Sequence, residues 1–476
     1  MRLHDLLENK FRTSLPDMEI SGVTDKTSEL EKDILFFCIK GRNNDGHDFA
    51  EEAIAKGAAA IVTERDLGIE NQIIVDDTRR AYGDICASWY NHPERKLKLI
   101  GVTGTNGKTT MASVIKEILT KSGHRVGLIG TIRNEIMDQS FKTDKTSPLT
   151  KEYMEFLSRM VKAGCDCAVM EVSSFALEQQ RIGPSHFRIG IFTNLTQDHL
   201  DYHADMEEYY RAKKLLFSRC DTAIINIDDE YGKRLYSEIS CDKRSCSLKE
   251  KADYSAENIE ISKDSLGYEL IGKENSLSVS LGMTGEFNIM NSLQAAAACL
   301  EMRIPEEKIS AALATVSGVK GRCEIIPTGK DYTVICDYAH SPDGLKNILS
   351  ALKPFAENRL ICLFGCGGDR DKAKRPLMAK AAAEYADKLI VTSDNPRNEE
   401  PSDIINDILA GLENSPVPYD VVENRRDAIK HALVTGEKGD IIVLAGKGHE
   451  DYQILKGYEK IHFDEREIVA EILKEI

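Results

Sequence analysis

The sequence lacks the features that would place it at once in a membrane, secreted or nucleic-acid-binding class. No run of about 18 apolar residues occurs, so no segment is expected to span a bilayer. The twelve cysteines are scattered, without a CxxC pair or a zinc-ligand spacing, which excludes a disulfide-stapled domain and a zinc module. Lys and Arg number 62 against 78 Asp and Glu, a net charge of −16. This balance excludes a general nucleic-acid or anionic-membrane binder, although a local basic site can still hold phosphates.

Residues 1–15 carry charges throughout and lack the apolar stretch of a signal peptide. We therefore expect a cytoplasmic protein whose thiols are reduced and mostly buried. Its expected partners are small molecules, with no nucleic acid and no membrane among them. We expect the protein to be a monomer.

Length and pattern predict an α/β protein of about three domains. Over the 476 residues, short buried strands alternate with amphipathic helices, which is typical of right-handed βαβ units in a mostly parallel sheet. We place the domains at 1–96, 97–322 and 323–476. The first is predicted to contain strands over 33–40 and 59–63 with a helix over 46–57. The second is predicted to add antiparallel strands near 259–261, 268–271 and 277–281, and the third is expected to be Rossmann-like.

A glycine-rich segment, GVTGTNGKTT at Gly101–Thr110, lies between a predicted strand and a predicted helix over 108–122. Glycines let successive backbone N–H groups turn toward an anion, and the helix N-terminus adds partial positive charge. Lys108 is placed to reach the outer phosphates, and Thr109 offers a hydroxyl to Mg²⁺. The segment predicts a phosphate-binding loop. The alternative is a glycine-rich turn that carries a lysine by chance.

Two further polar clusters follow predicted strands. Glu171 stands in EVSS and His199 in TNLTQDHLD. Because the carboxyl ends of parallel strands share one edge of a sheet, both are expected near the phosphate loop and are candidate Mg²⁺ ligands. Taken singly, each is better explained as a solvated polar loop residue. Together with Lys108 at neighbouring strand ends, the two instead favour a metal site. No Ser/His/Asp or Cys/His arrangement indicates a protein nucleophile.

At this point the motifs become specific. The sequence contains, in this order, the motifs GVTGTNGKTT, EVSS, FTNLTQDHLDYH, GEFNIMNSLQAAA, GRCE and DYAHSPDG. This is the order seen in the Mur ligase family, which the chain resembles over nearly its whole length. GCGGDRDKAKRPLM, SDNPRNEEP and AGKGHEDYQ resemble its MurE branch. The resemblance implies an ATP-dependent ligase of peptidoglycan precursor synthesis, with ATP and Mg²⁺ as cofactors. Its substrates would be UDP-N-acetylmuramoyl-L-Ala-D-Glu and meso-diaminopimelate, joined through an acyl phosphate.

The resemblance also implies roles for individual residues of the ATP and metal sites. The residues implied to be catalytic are Lys108, Glu171, His199 and a carbamylated Lys213. The neighbouring Lys214 is expected to be solvated. The residues expected to bind ATP are Gly104, Thr105, Asn106, Gly107, Lys108, Thr109, Thr110, Asn288, Asn291, Arg322 and Asp337. The expected metal ligands are Thr109, Glu171, His199 and Lys213. Without the resemblance, Lys213 is one of two lysines on an amphipathic helix.

Two more groups of residues would bind the substrates. The expected UDP-dipeptide contacts are Thr146, Ser147, Ser173, Gln179 and Arg181. The expected contacts of the incoming amino acid are Arg375, Asp394, Asn395, Pro396, Arg397, Gly446 and Glu450. Arg397 is suited to clamp the distal carboxylate of diaminopimelate and Glu450 to bind its distal ammonium. The alternative explanation of Asp394–Arg397 is a proline-containing turn.

The chain departs from the family pattern at three places. Asp25-Lys-Thr stands where the family usually has Asp-Ser-Arg, so UDP contacts in the first domain stay unassigned. Phe175 stands where many MurE sequences have His. Asn424-Arg-Arg replaces a usual Asp-Arg and is expected to be a surface or ATP-side detail. Three alternative functions stay open: a lysine-adding MurE, a related ligase of the folylpolyglutamate type, and a non-catalytic nucleotide-binding regulator.

Overall fold

The computed structural model describes residues 1–41 and 44–476. These residues form two compact units, one of residues 1–103, 123–190 and 212–223, the other of 104–122, 191–211 and 224–476. The division at residues 96 and 322 stays a prediction, because the compact units follow spatial contacts and not sequence order. In the described ranges no helix is long and apolar enough to cross a bilayer.

The N-terminal part of the chain forms a sheet of four parallel strands, in the order β1-β2-β3-β4. Its strands are β1 Gly22–Thr24, β2 Ile34–Phe37, β3 Ala60–Thr63 and β4 Gln72–Ile74, and the helices of this region are α1 Leu3–Leu7, α2 Ala50–Ala55 and α3 Thr78–Trp89. The predicted strands at 33–40 and 59–63 are present with shorter bounds. The predicted helix over 46–57 begins as a 3₁₀ turn at Gly46–Phe49 and stops before Gly57, whose φ of +96° ends it.

The middle of the chain builds an eleven-stranded sheet in the order β15-β14-β13-β12-β11-β10-β5-β9-β6-β7-β8. The first strands are β5 Lys98–Thr103, β6 Val126–Ile129, β7 Asn134–Ile136, β8 Gln139–Phe141, β9 Cys167–Glu171, β10 Phe187–Phe192 and β11 Cys220–Asn226. The last four are β12 Asp242–Ser247, β13 Tyr254–Ile261, β14 Leu266–Gly272 and β15 Ser276–Leu281. β5, β9 and β6 pair in parallel, and β13 to β15 pair antiparallel as predicted. The short hairpin of β7 and β8 was not predicted from the sequence.

Helices separate these strands, as the alternating pattern predicts. They are α4 Lys108–Lys121, α5 Thr150–Lys162, α6 Ser174–Glu178, α7 Met206–Lys214, α8 Glu230–Glu238, α9 Glu286–Glu301 and α10 Glu306–Leu313. α4 starts directly after Gly107, so its unpaired N–H groups face the end of the glycine-rich loop. α9 is buried along almost its whole length because alanines fill its middle.

The C-terminal region contains a six-stranded sheet in the order β16-β17-β21-β18-β19-β20, in which only β16 runs antiparallel to its neighbour. The strands are β16 Glu324–Ile326, β17 Thr333–Asp337, β18 Leu360–Phe364, β19 Lys388–Val391, β20 Tyr419–Val421 and β21 Ile441–Ala445, and a separate hairpin consists of β22 Tyr452–Ile454 and β23 Lys460–His462. The helices are α11 Pro342–Leu352, α12 Lys374–Tyr385, α13 Pro401–Leu409, α14 Arg425–Val434 and α15 Glu465–Glu475. This doubly wound arrangement is the α/β class that the sequence predicts.

Two apolar cores cover the two faces of the C-terminal sheet. Leu389 packs in one core with Met378, and its neighbour Ile390 packs in the other with Ile429 and Ile472. Successive strand residues point to opposite faces, which explains why these strands are apolar throughout. All twelve cysteines are free thiols, and ten of them are buried, in agreement with the expectation of a reduced interior.

The segment at Asn424, expected to be a surface or ATP-side detail, lies only partly at the surface, because Asn424 is exposed whereas Arg425 is buried. Asn424 caps α14 by accepting the N–H of Asp427, and the Arg425 side chain is fully buried. Arg425 Nε donates to Glu465 Oε1 at 2.9 Å, and its Nη2 donates to the Ala445 carbonyl at 2.8 Å. Because a buried cation requires a partner, this arginine ties α14 to α15 and β21.

Candidate functional site

The loop Gly104–Gly107 joins β5 to α4 in a shape that requires glycine. Gly104 has a φ of +148° and Gly107 one of +85°, which side-chain-bearing residues rarely adopt. A Cβ on Gly107 would lie 2.5 Å from Asn291 Oδ1, and one on Gly104 would clash with Thr193 Oγ1. This close backbone approach is what a loop that cradles phosphates needs.

Residues that follow β10 hold the loop in place. Asn194 accepts the N–H of Thr105 through its carbonyl and the N–H of Asn106 through Oδ1, both at 2.9 Å. Thr193 Oγ1 donates to the Asn106 carbonyl at 2.6 Å. The sequence places Thr193 and Asn194 at the correct sheet edge, but their role as supports of the loop was not predicted.

The first residues of α4, Lys108 and Thr109, are those expected to contact phosphate and metal, and both lie beside the loop. Lys108 Nζ lies over the loop and donates to Gly104 O at 2.9 Å and to Thr105 O at 2.8 Å. Thr109 Oγ1 accepts from Arg322 Nη2 at 3.2 Å. An ammonium and a guanidinium therefore lie near the loop where charged phosphate oxygens are expected.

A cavity of about 500 Å³ opens beside this loop. Its lining includes Asn106, Gly107, Thr110, Asn291, Arg322 and Asp337. The Arg322 guanidinium lies 4.7 Å from the centre of the Tyr338 ring. Within the described part of the chain, the buried Nε of Arg322 has no hydrogen-bond partner. A buried cationic donor without a partner suits a phosphate oxygen of a nucleotide.

The other predicted nucleotide contacts lie in the same compact unit. Asp337 accepts the N–H groups of Cys323 and Ala339 at 2.7 and 2.8 Å, and burial raises the pKa of its carboxyl. Asn291 donates to Asn288 Oδ1 at 3.2 Å, one turn earlier on α9. Asn288 itself is buried, so it supports Asn291, which lines the cavity.

His199 belongs to a charged cluster that the sequence revealed only in part. Its Nε2 lies 3.6 Å from Asp198 Oδ2, and His340 Nε2 lies 3.7 Å from the same oxygen. Lys374 Nζ lies 3.7 Å from Asp198 Oδ1. Burial opposes ionisation of Asp198, but His340, His199 and Lys374 outweigh it and hold the pKa of this carboxyl well below its usual value.

In the first compact unit, the predicted substrate residues gather around the end of β9. Glu171 accepts from the Thr131 N–H at 2.8 Å and from the Thr131 hydroxyl at 2.9 Å. Ser147 Oγ donates to the Glu171 carbonyl at 2.9 Å and accepts the N–H of Ser173 at 3.0 Å. Thr131 Oγ1 also contacts Thr146 Oγ1 at 3.1 Å. The Glu171 carboxylate is therefore held in a fixed orientation.

Arg181 and Gln179 lie beside this group. Arg181 Nε and Nη2 both donate to Gln179 Oε1, at 3.0 and 2.7 Å. Its Nη1 approaches the Ser147 carbonyl at 3.5 Å. The five predicted UDP-dipeptide contacts thus lie in one neighbourhood, which the motif spacing alone does not reveal.

The two lysines of α7 differ in exposure. The Lys213 side chain is 1% exposed, whereas Lys214 is half-buried. The burial of Lys213 is consistent with a role inside the protein. Its carbamylation stays a prediction.

A smaller cavity of about 200 Å³ lies in the first unit, where the family's Asp-Ser-Arg pattern is absent. Its lining includes Asp25, Lys26, Glu29 and Lys151. Burial opposes ionisation of Glu29, yet hydrogen bonds from Lys151, Lys26 and Thr24 together lower the pKa of its carboxyl to about 2. UDP contacts in this region stay unassigned.

The predicted amino-acid contacts cluster beyond the carboxyl ends of β19 and β21. Asn395 Nδ2 donates to Glu450 Oε2 at 3.0 Å, and Asn395 Oδ1 accepts the N–H of Ile454 at 2.9 Å. The buried Lys447 donates to both Asn395 and Glu450. Lys447 was not among the predicted site residues, although it lies inside the AGKGHE motif that the sequence analysis singled out.

Arg397 occupies an unusual backbone conformation beside this cluster. Its φ is +53°, and its Nη1 donates to the Gly368 carbonyl at 2.8 Å. Burial and the nearby Arg370 lower the pKa of its guanidinium. Gly446, with a φ of +115°, allows a close approach to Asp394, because a Cβ there would lie 2.8 Å from Asp394 Oδ2.

Arg375 differs from the other predicted amino-acid contacts because carboxylates already engage its guanidinium. Nη1 donates to Glu399 Oε2 at 3.0 Å and to Asp407 Oδ2 at 2.8 Å, and Nη2 donates to Glu399 Oε1 at 2.8 Å. A substrate carboxylate would have to share this cation. Direct contact between Arg375 and the amino acid stays a prediction.

Comparison with known proteins agrees with the motif pattern. Three family models match the chain: "Mur ligase family, catalytic domain" over residues 19–90, "Mur ligase middle domain" over 102–299 and "Mur ligase, glutamate ligase domain" over 321–448. The chain is 46% identical to UDP-N-acetylmuramoyl-L-alanyl-D-glutamate--2,6-diaminopimelate ligase 1 of Clostridium acetobutylicum, over 97% of this chain and 96% of that protein.

Two further similarities extend over the whole chain. The corresponding ligase of Clostridioides difficile is 41% identical over 100% of both proteins. A solved structure of a UDP-N-acetylmuramoyl-L-alanyl-D-glutamate--2,6-diaminopimelate ligase is 30% identical, with a TM-score of 0.72 over 100% of this chain and 99% of that one. Motif order, fold and full-length similarity therefore lead to one conclusion: the chain belongs to the Mur ligase family.

Proposed function

We propose that this protein is an ATP-dependent ligase that joins meso-diaminopimelate to the D-glutamyl γ-carboxylate of UDP-N-acetylmuramoyl-L-Ala-D-Glu in peptidoglycan precursor synthesis. The observation that carries the proposal is the pair of sites in the second compact unit. One is the phosphate-loop cavity bordered by Arg322. The other is the group of Asn395, Arg397 and Glu450, which offers a cation and a carboxylate to a diamino acid.

The chemistry requires two anions to meet. A γ-carboxylate oxygen of the D-glutamyl residue attacks the γ-phosphorus of ATP, the bond to the bridging oxygen breaks, and ADP leaves. The amino nitrogen of diaminopimelate then attacks the acyl carbon, phosphate leaves, and the nitrogen loses a proton as the amide forms. Lys108 and Arg322 offset the charge on the transferring phosphoryl group.

Each unit by itself contains residues that suit magnesium, which when bound would neutralise phosphate charge. Thr109 and His199 are the proposed oxygen and nitrogen donors of the second unit. In the first unit the proposed ligands are Glu171, whose carboxylate Thr131 orients, and Lys213 in carbamylated form. Carbamylation, the addition of CO2 to the neutral amine with loss of a proton, would convert Lys213 into an anionic carbamate whose oxygens are donors of the type that Mg²⁺ prefers.

Diaminopimelate fits the amino-acid cluster better than lysine does. Its distal end carries an ammonium and a carboxylate, which match Glu450 and Arg397. Lysine has no distal carboxylate and would leave the Arg397 guanidinium without an anionic partner, a mismatch that discriminates strongly. The UDP-dipeptide is assigned to Thr146, Ser147, Ser173, Gln179 and Arg181. We place the enzyme in the cytoplasm, where ATP is available, as a monomer.

The test is product formation from purified components. With ATP, Mg²⁺, UDP-N-acetylmuramoyl-L-Ala-D-Glu and meso-diaminopimelate, mass spectrometry should detect the UDP-linked tripeptide together with equal amounts of ADP and phosphate. Omission of any component should prevent product formation, and Lys108→Ala should abolish it. ATP hydrolysis without amide product, or unchanged turnover by Lys108→Ala, would contradict the proposal.

A further inference from the structure

Lys447 is a fully buried lysine whose ammonium touches the proposed amino-acid cluster. It lies two residues after β21, and its side chain is 0% exposed. Nζ donates to Glu450 Oε2 at 3.1 Å, to the Tyr452 carbonyl at 2.9 Å and to Asn395 Oδ1. A lysine ammonium has three N–H donors, so each has an acceptor and the side chain is held in one position.

This arrangement fixes the orientation of the Asn395 side-chain amide. Its Oδ1 accepts from Lys447 and from the N–H of Ile454. Since both donors face the oxygen, the amide nitrogen must point the other way, where Nδ2 donates to Glu450 Oε2 at 3.0 Å. A reversed amide would place its N–H groups against Lys447 and leave Glu450 without this donor.

The same arrangement orients the Glu450 carboxylate. Both donors, from Lys447 and from Asn395, reach Oε2. Oε1 is therefore the oxygen available to a ligand cation. Lys447 also lies 3.9 Å from Asp394 Oδ1, so its charge separates two carboxylates that would otherwise repel each other.

We infer that Lys447 is a positioning residue that aims Asn395 and Glu450 at the distal ammonium of the incoming diamino acid. The inference rests on the proposed function, because it assigns that ammonium to Glu450. Lys447 itself is buried beneath the cluster and acts through its two partners. Its loss should affect affinity for the amino acid and spare the binding of ATP and of the UDP-dipeptide.

The test measures separate KM values for the three substrates in Lys447→Met, which keeps the length of the side chain and removes its charge and donors. The KM for meso-diaminopimelate should rise about tenfold or more, because the hydrogen bonds that hold Asn395 and Glu450 are lost with the bond to the Tyr452 carbonyl. The KM values for ATP and the UDP-dipeptide should change less than about twofold. Lys460→Met is the matched control, since Lys460 is exposed on β23 and approaches the same Tyr452 from outside. It should leave all three values unchanged.

A second variant covers the case in which Lys447→Met does not fold. Asn395→Asp keeps the size of the side chain but opposes an oxygen to Glu450 Oε2, so it should raise the same KM selectively. If Lys447 acts through Glu450, the two substitutions are not independent. The double variant Lys447→Met/Glu450→Gln should then raise the KM for meso-diaminopimelate by less than the product of the two single-variant factors. A parallel change in all three KM values, or none in folded variants, would overturn the inference. No activity in the wild type would instead refute the proposed function.

Discussion

Asn106, on the phosphate loop, donates from Nδ2 to Asp343 Oδ2 at 2.8 Å. Asp343 lies in the first turn of α11 and also accepts from Thr196 Oγ1 at 3.4 Å and from Asn347 Nδ2 at 3.0 Å. One carboxylate thus connects the phosphate loop, the segment after β10 and a helix of the C-terminal sheet. Through this contact, the position of the phosphate loop depends on α11.

Replacement of Asp343 by Ala should weaken ATP binding. Removal of a charged hydrogen-bond partner leaves Asn106 unsupported, so we expect the KM for ATP to rise about tenfold. Asp403→Ala is the matched control because Asp403 occupies the first turn of another helix and is exposed. Steady-state kinetics with varied ATP check the prediction. Equal KM values for both variants would show that the contact does not hold the loop.

Replacement of Lys213 by Ala should lower kcat by at least about a hundredfold, if a carbamate at this position contributes to the metal site. Lys214→Ala, at the half-buried neighbour on the same helix, should change kcat by less than about twofold. Intact mass of the native protein should reveal the carbamate, and removal of bicarbonate and carbon dioxide should lower the activity of the wild type. Similar losses in the two variants would argue against a special role for Lys213.

Replacement of Arg397 by Ala should reduce kcat/KM for meso-diaminopimelate about a hundredfold, through loss of a paired carboxylate contact. Activity with L-lysine should change little, since lysine has no carboxylate for this arginine. Arg370→Ala serves as the control, because this neighbouring guanidinium is exposed. Should activity with both amino acids fall to the same extent, Arg397 supports the fold and does not select the substrate.

His449 should make the protein sensitive to acid. Burial, reinforced by the positive charges of Arg322, Arg466, Lys320 and His340, lowers the pKa of its imidazole to about 3. In the unfolded chain this pKa is about 6.5, so between these two values the unfolded state binds a proton that the folded state does not. The free energy of unfolding should therefore fall as pH drops from about 6.5 toward 3.

His449→Asn should reduce this loss of stability, as measured by urea unfolding at a series of pH values. His462→Gln is the control. Glu467 raises the pKa of the exposed His462 imidazole, so removal of this imidazole cannot reduce the loss of stability in acid. An unchanged pH dependence in His449→Asn would mean that other groups dominate.

Local patterns predicted much of this architecture. Buried strands, the glycine loop and the helix at Lys108 follow from hydrophobic runs and glycine positions, and the antiparallel pairing of β13 to β15 follows from alternation along the chain. β7 and β8 were missed because strands of three residues are too short for a periodic signal.

The individual hydrogen bonds between segments that are distant in the sequence could not be predicted from it. The bond from Asn106 to Asp343 joins residues 237 positions apart, and Lys447 reaches Asn395 across 52 positions. The Asn424-Arg-Arg segment was expected to be a surface or ATP-side detail, and only the fold brings Glu465 to the side chain of Arg425. The motifs identified which segments meet, but not which atoms bond.

The measurement that tests the central claim most directly is phosphate release from ATP in the presence of UDP-N-acetylmuramoyl-L-Ala-D-Glu, with meso-diaminopimelate and L-lysine compared in parallel. We predict release with meso-diaminopimelate and a kcat/KM for L-lysine lower by at least about a hundredfold. Release with L-lysine alone would keep the ligase chemistry but contradict the roles given to Arg397 and Glu450. Release with neither amino acid would contradict the proposed function itself.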